Sequence, residues 1–408
     1  MKNRAYEFGT EENVRFLQEQ RNRLRDFGRR FPSPGGSSYY LGDDGTPWKE
    51  RPRETWITSR MAHVYSLCIM LDQSTDPALV DAALRGLTYE LKDAEHGGWF
   101  PGVQADGTPL KSGKQCYAHA FVILAASSAL LAGRPGAETL LQEALSVYDR
   151  YFWDEAEGMA RDTWNMEFTE LDTYRGLNAN MHSVEAFLAA ADAAGNALYR
   201  ERAGRIIRRV IAFARENHWR IPEHYTENWE PDLECNRERP EDPFKPYGAT
   251  PGHGIEWARL ILQYQQSICD SDTETSEQLY QRAVSDAWMA DGAPGLVYTT
   301  DWNGIPVVHD RMHWTLAEAI NTSAVLYRVT GKRRYAEDYY QFMEYLDRCV
   351  IDHEKGSWFH QLDRENHLTD SVWPGKSDLY HAFQATLIPL NPQVGVSIAA
   401  AIHSIRQL

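Results

Sequence analysis

Apolar residues recur along most of this chain with the period of an α-helix. Segments of small apolar residues, such as AHAFVILAASSALLA at 118–132, alternate with more charged segments, such as YRERAGRIIRRVIAFAREN at 199–217. Because the charged pattern is typical of a helix with one face in solvent, inner and outer helices are predicted to alternate. About twelve helices are predicted, at 11–29, 56–73, 76–93, 114–132, 135–151, 178–195, 196–217, 253–269, 274–289, 311–330, 333–351 and 378–405.

Every second predicted helix carries a histidine in or near its first turns, at intervals of roughly 55 to 70 residues. Stretches with β-formers around an Asp-Gly, Asn-Gly or similar turn come before these helices, as at 99–113, 296–310 and 357–375. A hairpin, an inner helix and an outer helix therefore form a unit that is predicted to occur six times. The histidines of the series are His63, His119, His182, His253, His313 and His381.

Closed into a ring, six such units form an all-α (α/α)6 barrel with short β-hairpins over one face. The N-termini of the inner helices and the hairpins would form that face, and the histidines predict that it holds a polar site. An open helical solenoid is the alternative, but its repeats should be more alike and would not need the hairpins.

The 408 residues are predicted to form one barrel domain over 1–408, since closed repeat architectures run long as single domains. The nearest candidate for a linker is the polar, proline-rich stretch at 231–248. It lies within one repeat and leads directly into the helix of His253, so it is interpreted as a long loop over the pocket.

The net charge of −16 and the lack of a basic stripe argue against nucleic-acid binding, which requires clustered Lys and Arg. The N-terminal residues have no apolar core of signal-peptide length, and no apolar run reaches about 18 residues. The five cysteines are widely spaced, so buried free thiols are expected. We expect a soluble cytoplasmic protein without membrane contact, either a monomer or a small homo-oligomer.

Two histidines have neighbours suited to proton transfer, for which imidazole is the best side chain at neutral pH. His253 and Glu256 are three residues apart and share a helix face, where a carboxylate would fix the tautomer of the imidazole. A surface salt bridge is the alternative. His381 follows the rigid W-P-G-K segment and a cap at Ser377 or Asp378. We interpret His381 as the base that carries the proton, with a core histidine as the alternative.

Other polar residues on inner helices are candidates for holding a ligand. Arg60 lies three residues before His63 and offers a fork of donors for hydroxyls or an enolate oxygen. An outward-facing ion pair is equally compatible with that spacing. Asn178, His182 and Glu185 share a helix face, and Asn together with His suits sugar hydroxyls.

Motifs for metals, phosphates and hydrolytic nucleophiles are absent from the sequence, including HExxH, EF-hand loops, GxxxxGK[ST] and G-x-S-x-G. No metal and no cofactor are therefore expected. The thirteen Trp and twenty-one Tyr suit a pocket that stacks against sugar faces. Tyr117 and His119 are two residues apart, so at most one of them faces the centre. These patterns favour acid/base catalysis by histidines on an uncharged, hydroxyl-rich ligand.

Four segments occur in order along the chain: R-M-x-H, N-A-N-M-H-x-V-E-A-F, T-P-G-H-x-I-E-W-x-R and K-x-D-x-Y-H. Together they resemble the N-acylglucosamine 2-epimerase superfamily over nearly the whole chain. That superfamily has the (α/α)6 barrel, and within it this chain is most similar to the aldose–ketose isomerases of the mannose isomerase type. The resemblance implies a monosaccharide substrate and isomerisation of D-mannose to D-fructose, or of D-lyxose to D-xylulose, through a cis-enediol.

Carried over position by position, the resemblance implies that His381 takes the C2 proton and that His253, supported by Glu256, is the partner acid/base. The residues expected to bind substrate and the enediolate oxygens are Arg60, Tyr117, Asn178, His182, Trp314 and Trp373. The other three histidines of the series, His63, His119 and His313, are expected to support the wall of the site.

Departures from the family patterns bear on the alternatives. Residues 313–318 read H-W-T-L-A-E where disaccharide epimerases tend to have W-W-x-Q-A-E, which weakens the cellobiose 2-epimerase hypothesis. Ser377 and Lys245 stand where the sulfosugar branch tends to have Gln and an anion-binding Arg, which weakens the sulfoquinovose isomerase hypothesis. An epimerase of the cellobiose or N-acylglucosamine type stays open, because it shares the enediolate and differs only in substrate pose.

Two further hypotheses come from other classes. A glycosidase on the same barrel needs two carboxylates flanking the bond. Glu185, Glu256 and Glu318 are available, but each neighbours a His or Trp rather than another acid. A non-catalytic binding barrel would tolerate the loss of single histidines.

Overall fold

The computed structural model of the chain describes residues 2–72 and 74–406. It confirms the helix-rich class, because the strands are only two or three residues long. The predicted helix at 56–73 and the predicted single domain at 1–408 extend onto residues 1, 73, 407 and 408, which lie outside the described residues. None of the helices in the described ranges has the length and apolar character needed to cross a membrane.

The described residues form thirteen α-helices, which in chain order are α1 (Glu11–Gly28), α2 (Thr55–Leu71), α3 (Ala78–Arg85), α4 (Cys116–Leu131), α5 (Ala137–Val147), α6 (Leu177–Ala194), α7 (Ala197–Glu216), α8 (Pro251–Ser267), α9 (Glu274–Ala287), α10 (His313–Thr330), α11 (Arg333–Tyr345), α12 (Tyr380–Ala385) and α13 (Ile398–Arg406). Single π-helical turns extend α3, α5 and α11 at Gly86–Glu90, Tyr148–Phe152 and Leu346–Val350. They explain why the helical sequence pattern continues beyond the end of each α-helix. Short 3₁₀ turns lie at Arg4–Tyr6 and Ile388–Leu390.

The helices form an inner and an outer layer, as the alternating pattern predicts. The inner helices α2, α4, α6, α8, α10 and α12 contact one another in chain order, and α12 contacts α2 in turn. Each of α3, α5, α7, α9 and α11 packs on the inner helix before it, and α1 contacts α12. Inner helices are buried over most of their length, as in α2, where every residue except Leu71 is buried. This burial requires the small apolar residues seen in their sequences.

Fourteen short strands lie near the starts of the inner helices in the described part of the chain: β1 (Tyr40–Leu41), β2 (Pro47–Trp48), β3 (Arg53–Glu54), β4 (Gly102–Val103), β5 (Lys114–Gln115), β6 (Trp153–Asp154), β7 (Met159–Ala160), β8 (Thr163–Trp164), β9 (Arg175–Gly176), β10 (His224–Tyr225), β11 (Thr299–Thr300), β12 (Pro306–Val308), β13 (Arg311–Met312) and β14 (Gln361–Leu362). All their pairings are antiparallel and two-stranded.

These strands join each inner helix start to the next one. The pairs β3–β4, β5–β8, β9–β10 and β13–β14 each link the residues before one inner helix to the segment before the next. A bridge between Ala249 and Thr300 links the starts of α8 and α10. The N–H of Lys376, before α12, donates to the carbonyl of Leu41, before α2, at 2.9 Å. The inner helix N-termini are thereby gathered at one end of the molecule.

The predicted hairpins are present but small. The stretch at 296–310 contains the hairpin β11–β12. In the stretches at 99–113 and 357–375, single bridges close the hairpin between Val103 and Pro109 and between Leu362 and Leu368. Their longer pairing is to the neighbouring unit, through β4 and β14.

Two buried lysines tie turns of the outer layer to the starts of inner helices. The turns begin at Asp93 and Asp352, whose Oδ1 atoms each accept two backbone N–H groups. Lys114 Nζ lies 2.8 Å from Asp93 Oδ2, and Lys376 Nζ lies 2.6 Å from Asp352 Oδ2. Each lysine also donates at 2.6 Å to a glycine carbonyl of the same turn. We call Lys114–Asp93 and Lys376–Asp352 the turn pairs.

The prediction of one helix at 378–405 is wrong. α12 ends at Ala385, and α13 begins only at Ile398. Pro389 and Pro392 lie between them, and proline removes a helical N–H donor and clashes with the preceding turn. α13 contacts α2, α4 and α6. The chain end thus covers these inner helices instead of continuing α12.

Candidate active site

A cavity of about 630 Å³ lies among the strands and the first turns of the inner helices. It is lined by all the residues for which the sequence predicts catalysis or substrate binding, namely Arg60, Tyr117, Asn178, His182, His253, Glu256, Trp314, Trp373 and His381. The other lining residues are Trp56, Pro243, Phe244, Pro246, Tyr298, His313, His360, Ser377 and Asp378.

Position along an inner helix decides whether a side chain reaches this cavity. Arg60, the sixth residue of α2, lines it, whereas His63 is the ninth and lies about 4.5 Å further along the axis. His63 lines a second cavity of about 580 Å³ near α13, together with Glu185 and Arg259, the ninth residues of α6 and α8. The three-residue spacing therefore does not bring His63 into the site with Arg60.

His381 is held by a buried carboxylate from the neighbouring inner helix. Its Nδ1 lies 3.0 Å from Glu318 Oε1, while Glu318 Oε2 accepts the Nε–H of Arg259 at 2.8 Å. A carboxylate at Nδ1 keeps the imidazole proton there, which leaves Nε2 as the basic atom. Burial, followed by the positive charge of Arg60, holds the pKa of His381 well below its usual value. His381 is therefore a neutral base at neutral pH.

The carboxylate beside His253 is Glu223, which corrects the prediction that Glu256 supports this histidine. His253 Nδ1 lies 3.1 Å from Glu223 Oε1. Glu223 immediately precedes β10, and its carbonyl accepts the N–H of Leu177 at 3.0 Å. Pairing between β9 and β10 thus brings Glu223 to the start of α8. Glu256 is one turn deeper along α8, so the shared helix face does not produce the contact.

Glu256 lies instead between two other histidines. One of its carboxylate oxygens and a nitrogen of His182 are within 4.8 Å, and the same holds for His381. Neither oxygen has a hydrogen-bond partner among the described residues, although Arg259 Nη2 lies 3.5 Å from Oε1. Burial and then the charge of Glu318 raise the pKa of Glu256 well above its usual value, against the opposing effect of Arg259. Glu256 therefore keeps its proton to higher pH than an exposed carboxyl does, and in the protonated form it can donate a hydrogen bond towards the cavity.

His182 also lines the cavity, near Glu256. Its Nδ1 lies 3.6 Å from Oε2 of Glu185, in keeping with the predicted shared face. Glu185 also accepts a hydrogen bond from the hydroxyl of Tyr380. Burial lowers the pKa of His182 to about 4. Burial alone would raise the pKa of Glu185, but the nearby His182 and the charge of Arg259 hold it below its usual value.

Arg60 contributes a positive charge that is already paired. Its Nη1 lies 3.2 Å from Asp378 Oδ2, and its Nη2 donates to the hydroxyl of Tyr117 at 3.0 Å. Asp378 also accepts the N–H of Tyr380 at 2.8 Å, but the N-cap position of α12 is Leu379, so the predicted cap at Ser377 or Asp378 lies one or two residues too early. Among the described residues that line the cavity, Arg60 is the only lysine or arginine. The cavity is thus suited to a neutral ligand.

Aromatic rings form the mouth of the cavity. Trp56, Tyr117, Phe244 and Trp373, which we call the aromatic collar, meet edge to face with centroids 5.4 to 6.3 Å apart. Phe244 comes from the stretch at 231–248, which confirms the interpretation of that stretch as a loop over the pocket.

Trp314 lies between the two candidate catalytic histidines. Its ring centroid is 5.0 Å from that of His253 and 5.8 Å from that of His381. An apolar face beside two imidazoles suits a sugar ring whose hydroxyl-bearing carbons must reach both.

The two remaining histidines of the series, His119 and His313, lie at different positions relative to the cavity. His119 supports the wall as predicted, since it accepts the N–H of Trp99 at 3.1 Å and lies behind the cavity. His313, also predicted as wall, lines the cavity and stacks on His360 at 3.8 Å. Burial lowers the pKa of His313 to about 4.

Sequence reasoning missed both carboxylates that contact the candidate catalytic histidines, Glu223 and Glu318. A signal was available for Glu318, because it is the sixth residue of α10, as Arg60 and Glu256 are of α2 and α8. Nothing in the sequence around Glu223 indicates its partner 30 residues later.

Two groups of buried side chains carry the donor atoms of a possible metal site. They are His182, Glu185 and Glu256, and Glu256, Glu318 and His381. The guanidinium of Arg259 already faces the shared carboxylates, at 3.5 Å from Glu256 and 2.8 Å from Glu318. A cation would have to compete with this arginine. That the site uses no metal and no cofactor stays a prediction.

A family model for N-acylglucosamine 2-epimerase (GlcNAc 2-epimerase) matches residues 35–385. The chain belongs to this family, and the resemblance inferred from the four sequence segments is confirmed.

Several similar proteins are D-mannose isomerases. A D-mannose isomerase of Pseudomonas cannabina pv. alisalensis is 43% identical over 356 residues, 85% of each chain. A D-mannose isomerase of Thermobifida fusca is 40% identical over 395 residues, 96% of this chain and 97% of the relative. A crystal structure of a D-mannose isomerase is similar with a TM-score of 0.84 at 27% identity, covering 92% of this chain and 97% of the other.

Proposed function

We propose that the chain is an (α/α)6-barrel enzyme that isomerises D-mannose to D-fructose, by acid/base catalysis without a metal. The similarity to two D-mannose isomerases over 85% and 96% of the chain carries the proposal. The circuit of inner-helix contacts and the strand pairs between successive units support the barrel. The neutral, hydroxyl-binding character of the cavity agrees with a free sugar as substrate.

In the first chemical step, His381 Nε2 removes the proton from C2 of the open-chain sugar. The electron pair of the C2–H bond forms the C1–C2 double bond, and the carbonyl oxygen O1 becomes the enediolate oxygen. His381 then returns the proton to C1 while O2 becomes the ketone oxygen. Glu318 favours this role because its contact at Nδ1 stabilises the imidazolium that forms.

The oxygens must exchange a proton between O2 and O1 during the same reaction. We assign this transfer to His253, whose Nδ1 lies 3.1 Å from Glu223 Oε1. Arg60, Asn178 and His182 would bind the substrate oxygens. Glu256, whose raised pKa favours the protonated form, would donate a hydrogen bond to the enediolate. One of the histidines must also open the pyranose ring by moving a proton between O1 and O5.

A sugar 2-epimerase is the second candidate. It needs a base on each face of C2, and the two histidines on either side of Trp314, each with its own carboxylate, are compatible with this. A sulfoquinovose isomerase is less favoured, because Lys245 lies over the ring of Tyr174 and does not line the cavity. A glycosidase is disfavoured because Glu185 and Glu318 lie outside the cavity lining.

Incubation with D-mannose in D2O with EDTA, followed by NMR, tests the proposal. Fructose carrying deuterium at C1 supports isomerisation through an enediol that exchanges with solvent, whereas glucose as the main early product supports the epimerase. Absence of any product from D-mannose would overturn both for this substrate. D-lyxose in a parallel sample tests formation of D-xylulose.

Three further properties stay predictions from the sequence: a location in the cytoplasm, a single domain, and a monomeric or small homo-oligomeric state.

A further inference from the structure

Three residues of the loop at 231–248 line the cavity: Pro243, Phe244 and Pro246. We call residues 243–246 the loop tip. No helix or strand is formed by the loop tip itself. Phe244 is 40% exposed although it belongs to the aromatic collar. Within the loop, Asn236 donates to the carbonyl of Lys245 at 2.6 Å, and Asp242 accepts the N–H groups of Phe244 and Lys245. Side chains from other elements add further contacts that hold the tip at the mouth of the cavity.

His224 in β10 binds the loop tip from behind. Its Nε2 lies 2.8 Å from the carbonyl oxygen of Pro246, and its Nδ1 lies 2.8 Å from the hydroxyl of Tyr174. A carbonyl only accepts, so Nε2 carries the proton and donates to Pro246. In the neutral imidazole, Nδ1 then accepts the hydroxyl proton of Tyr174. Burial lowers the pKa of His224, which favours this neutral form.

Tyr174 also binds the tip through its ring. The ammonium of Lys245 lies 3.5 Å from the ring centroid, a distance at which a cation–π contact stabilises. The side chain of Tyr174 packs directly against Gly176. A Cβ on residue 176 would lie 2.7 Å from the hydroxyl of Tyr174 and 3.0 Å from Asp162 Oδ2, so only glycine leaves room for this packing. Tyr174 therefore holds two residues of the loop tip, Lys245 directly and Pro246 through His224.

Neither Tyr174 nor His224 lines the cavity. Adjacent residues of a strand point to opposite sides. Glu223, just before β10, contacts His253, while His224 contacts the loop. One short segment thus connects a candidate catalytic histidine with the support of the cavity mouth.

We infer that Tyr174 and His224 are positioning residues, which hold the loop tip against the aromatic collar and thereby set the affinity for the sugar. The inference rests on the proposed function. It predicts a change in KM with little change in kcat, because the loop tip surrounds the ligand but carries no proton-transfer group.

The test compares Tyr174→Phe with Tyr280→Phe. Tyr280 on α9 also donates its hydroxyl to a side chain, Asp338 at 3.0 Å, but lies away from the loop. In Tyr174→Phe we expect KM for D-mannose to rise about three- to tenfold, as for one lost hydrogen bond, with kcat nearly unchanged. Amide hydrogen exchange of residues 242–249 should become faster in this variant, and neither change should occur in Tyr280→Phe.

A pair of variants at His224 separates positioning from general stability. His224→Gln keeps a donor near the position of Nε2 and should restore most of the affinity, whereas His224→Leu should lose it. Equal KM values and equal exchange at residues 242–249 in Tyr174→Phe and the wild type would overturn the inference. Hydrogen exchange needs no substrate, so this readout judges the loop even if D-mannose proves not to be turned over.

Discussion

The turn pairs and the inner part of the cavity, around His182 and Glu256, both bury ionisable groups. The two regions use the hydrogen-bonding capacity of these groups differently. Asp93 accepts two backbone N–H groups and Lys114, and Lys114 also donates to a carbonyl. Glu256 is equally buried, yet neither of its oxygens has a hydrogen-bond partner among the described residues. Burying an unpaired polar group costs free energy. Paired charges therefore hold this fold together, whereas polar atoms left without a partner are available to a ligand.

The largest effect is expected from His381→Asn, which tests whether the cavity groups serve activity. Asn can still donate to Glu318 in place of Nδ1, so the fold should be kept, but the basic Nε2 is lost. We expect kcat for D-mannose to fall about 10²- to 10⁴-fold, the usual contribution of a general base. Steady-state kinetics and thermal unfolding measure the two properties separately.

His63→Asn is the matched control, because His63 Nδ1 is also bonded, to Ser128 at 2.7 Å, in an inner helix. Its kcat should stay near that of the wild type. Similar losses of kcat in both variants would contradict the assignment of His381.

Lys114→Met tests the turn pairs, and it should reduce the stability of the fold without reducing kcat. It leaves Asp93 buried without its counter-charge, which costs about 3–5 kcal/mol in the free energy of unfolding. The double variant Lys114→Met with Asp93→Asn should recover part of this loss, since the amide oxygen can still accept the two N–H groups. Urea unfolding of both variants measures it. A double variant no more stable than the single one would show that charge pairing is not the cause.

Glu318→Gln tests whether one buried carboxylate can serve both the fold and the reaction. Glu318 pairs with Arg259, as a structural charge does, and it also contacts His381. The amide stabilises an imidazolium less well, so kcat should fall about ten- to a hundredfold, as for the loss of a hydrogen bond to a charged group. Glu277→Gln on α9 is the control, because Glu277 is also buried and bonds Lys332 and Arg334. If kcat falls equally in both variants, the contact with His381 has no special role.

Glu256→Gln should give the smallest effect at neutral pH and a clear one in alkaline solution. The pKa of Glu256 is raised in the folded protein, so the stability linked to its proton is fully present below its ordinary pKa and declines as pH rises towards the raised value. The variant has no such proton. Its advantage in Tm over the wild type should therefore grow between pH 5 and pH 9, roughly the span above the ordinary pKa of about 4.3. The alkaline fall in kcat/KM should also weaken in the variant. A Tm difference independent of pH would contradict the raised pKa.

The sequence predicts the cavity lining well because the first turns of the inner helices converge. Asn178, His253 and His381 occupy the second or third position of their helices, so a helix start in the pattern already indicates their place. Depth was harder to predict, since Arg60 and His63 share a face but reach different cavities. Contacts between distant segments could not be predicted, as with Glu223 and His253. The break at Pro389 and Pro392 was missed because apolar residues continue through it.

Arg60 and Asp378 form their ion pair across 318 residues of sequence. During synthesis, Arg60 is therefore made long before Asp378. The hydrogen bond between Lys376 and Leu41, which joins the last unit to the first, can likewise form only after residue 376 has been made. Nascent chains can stack helices in order as they emerge. The cavity, however, is complete only with the last unit, because a partly made chain lacks both Trp373 and His381 from its lining. Under the proposed function, a product that ends before these residues is expected to be inactive.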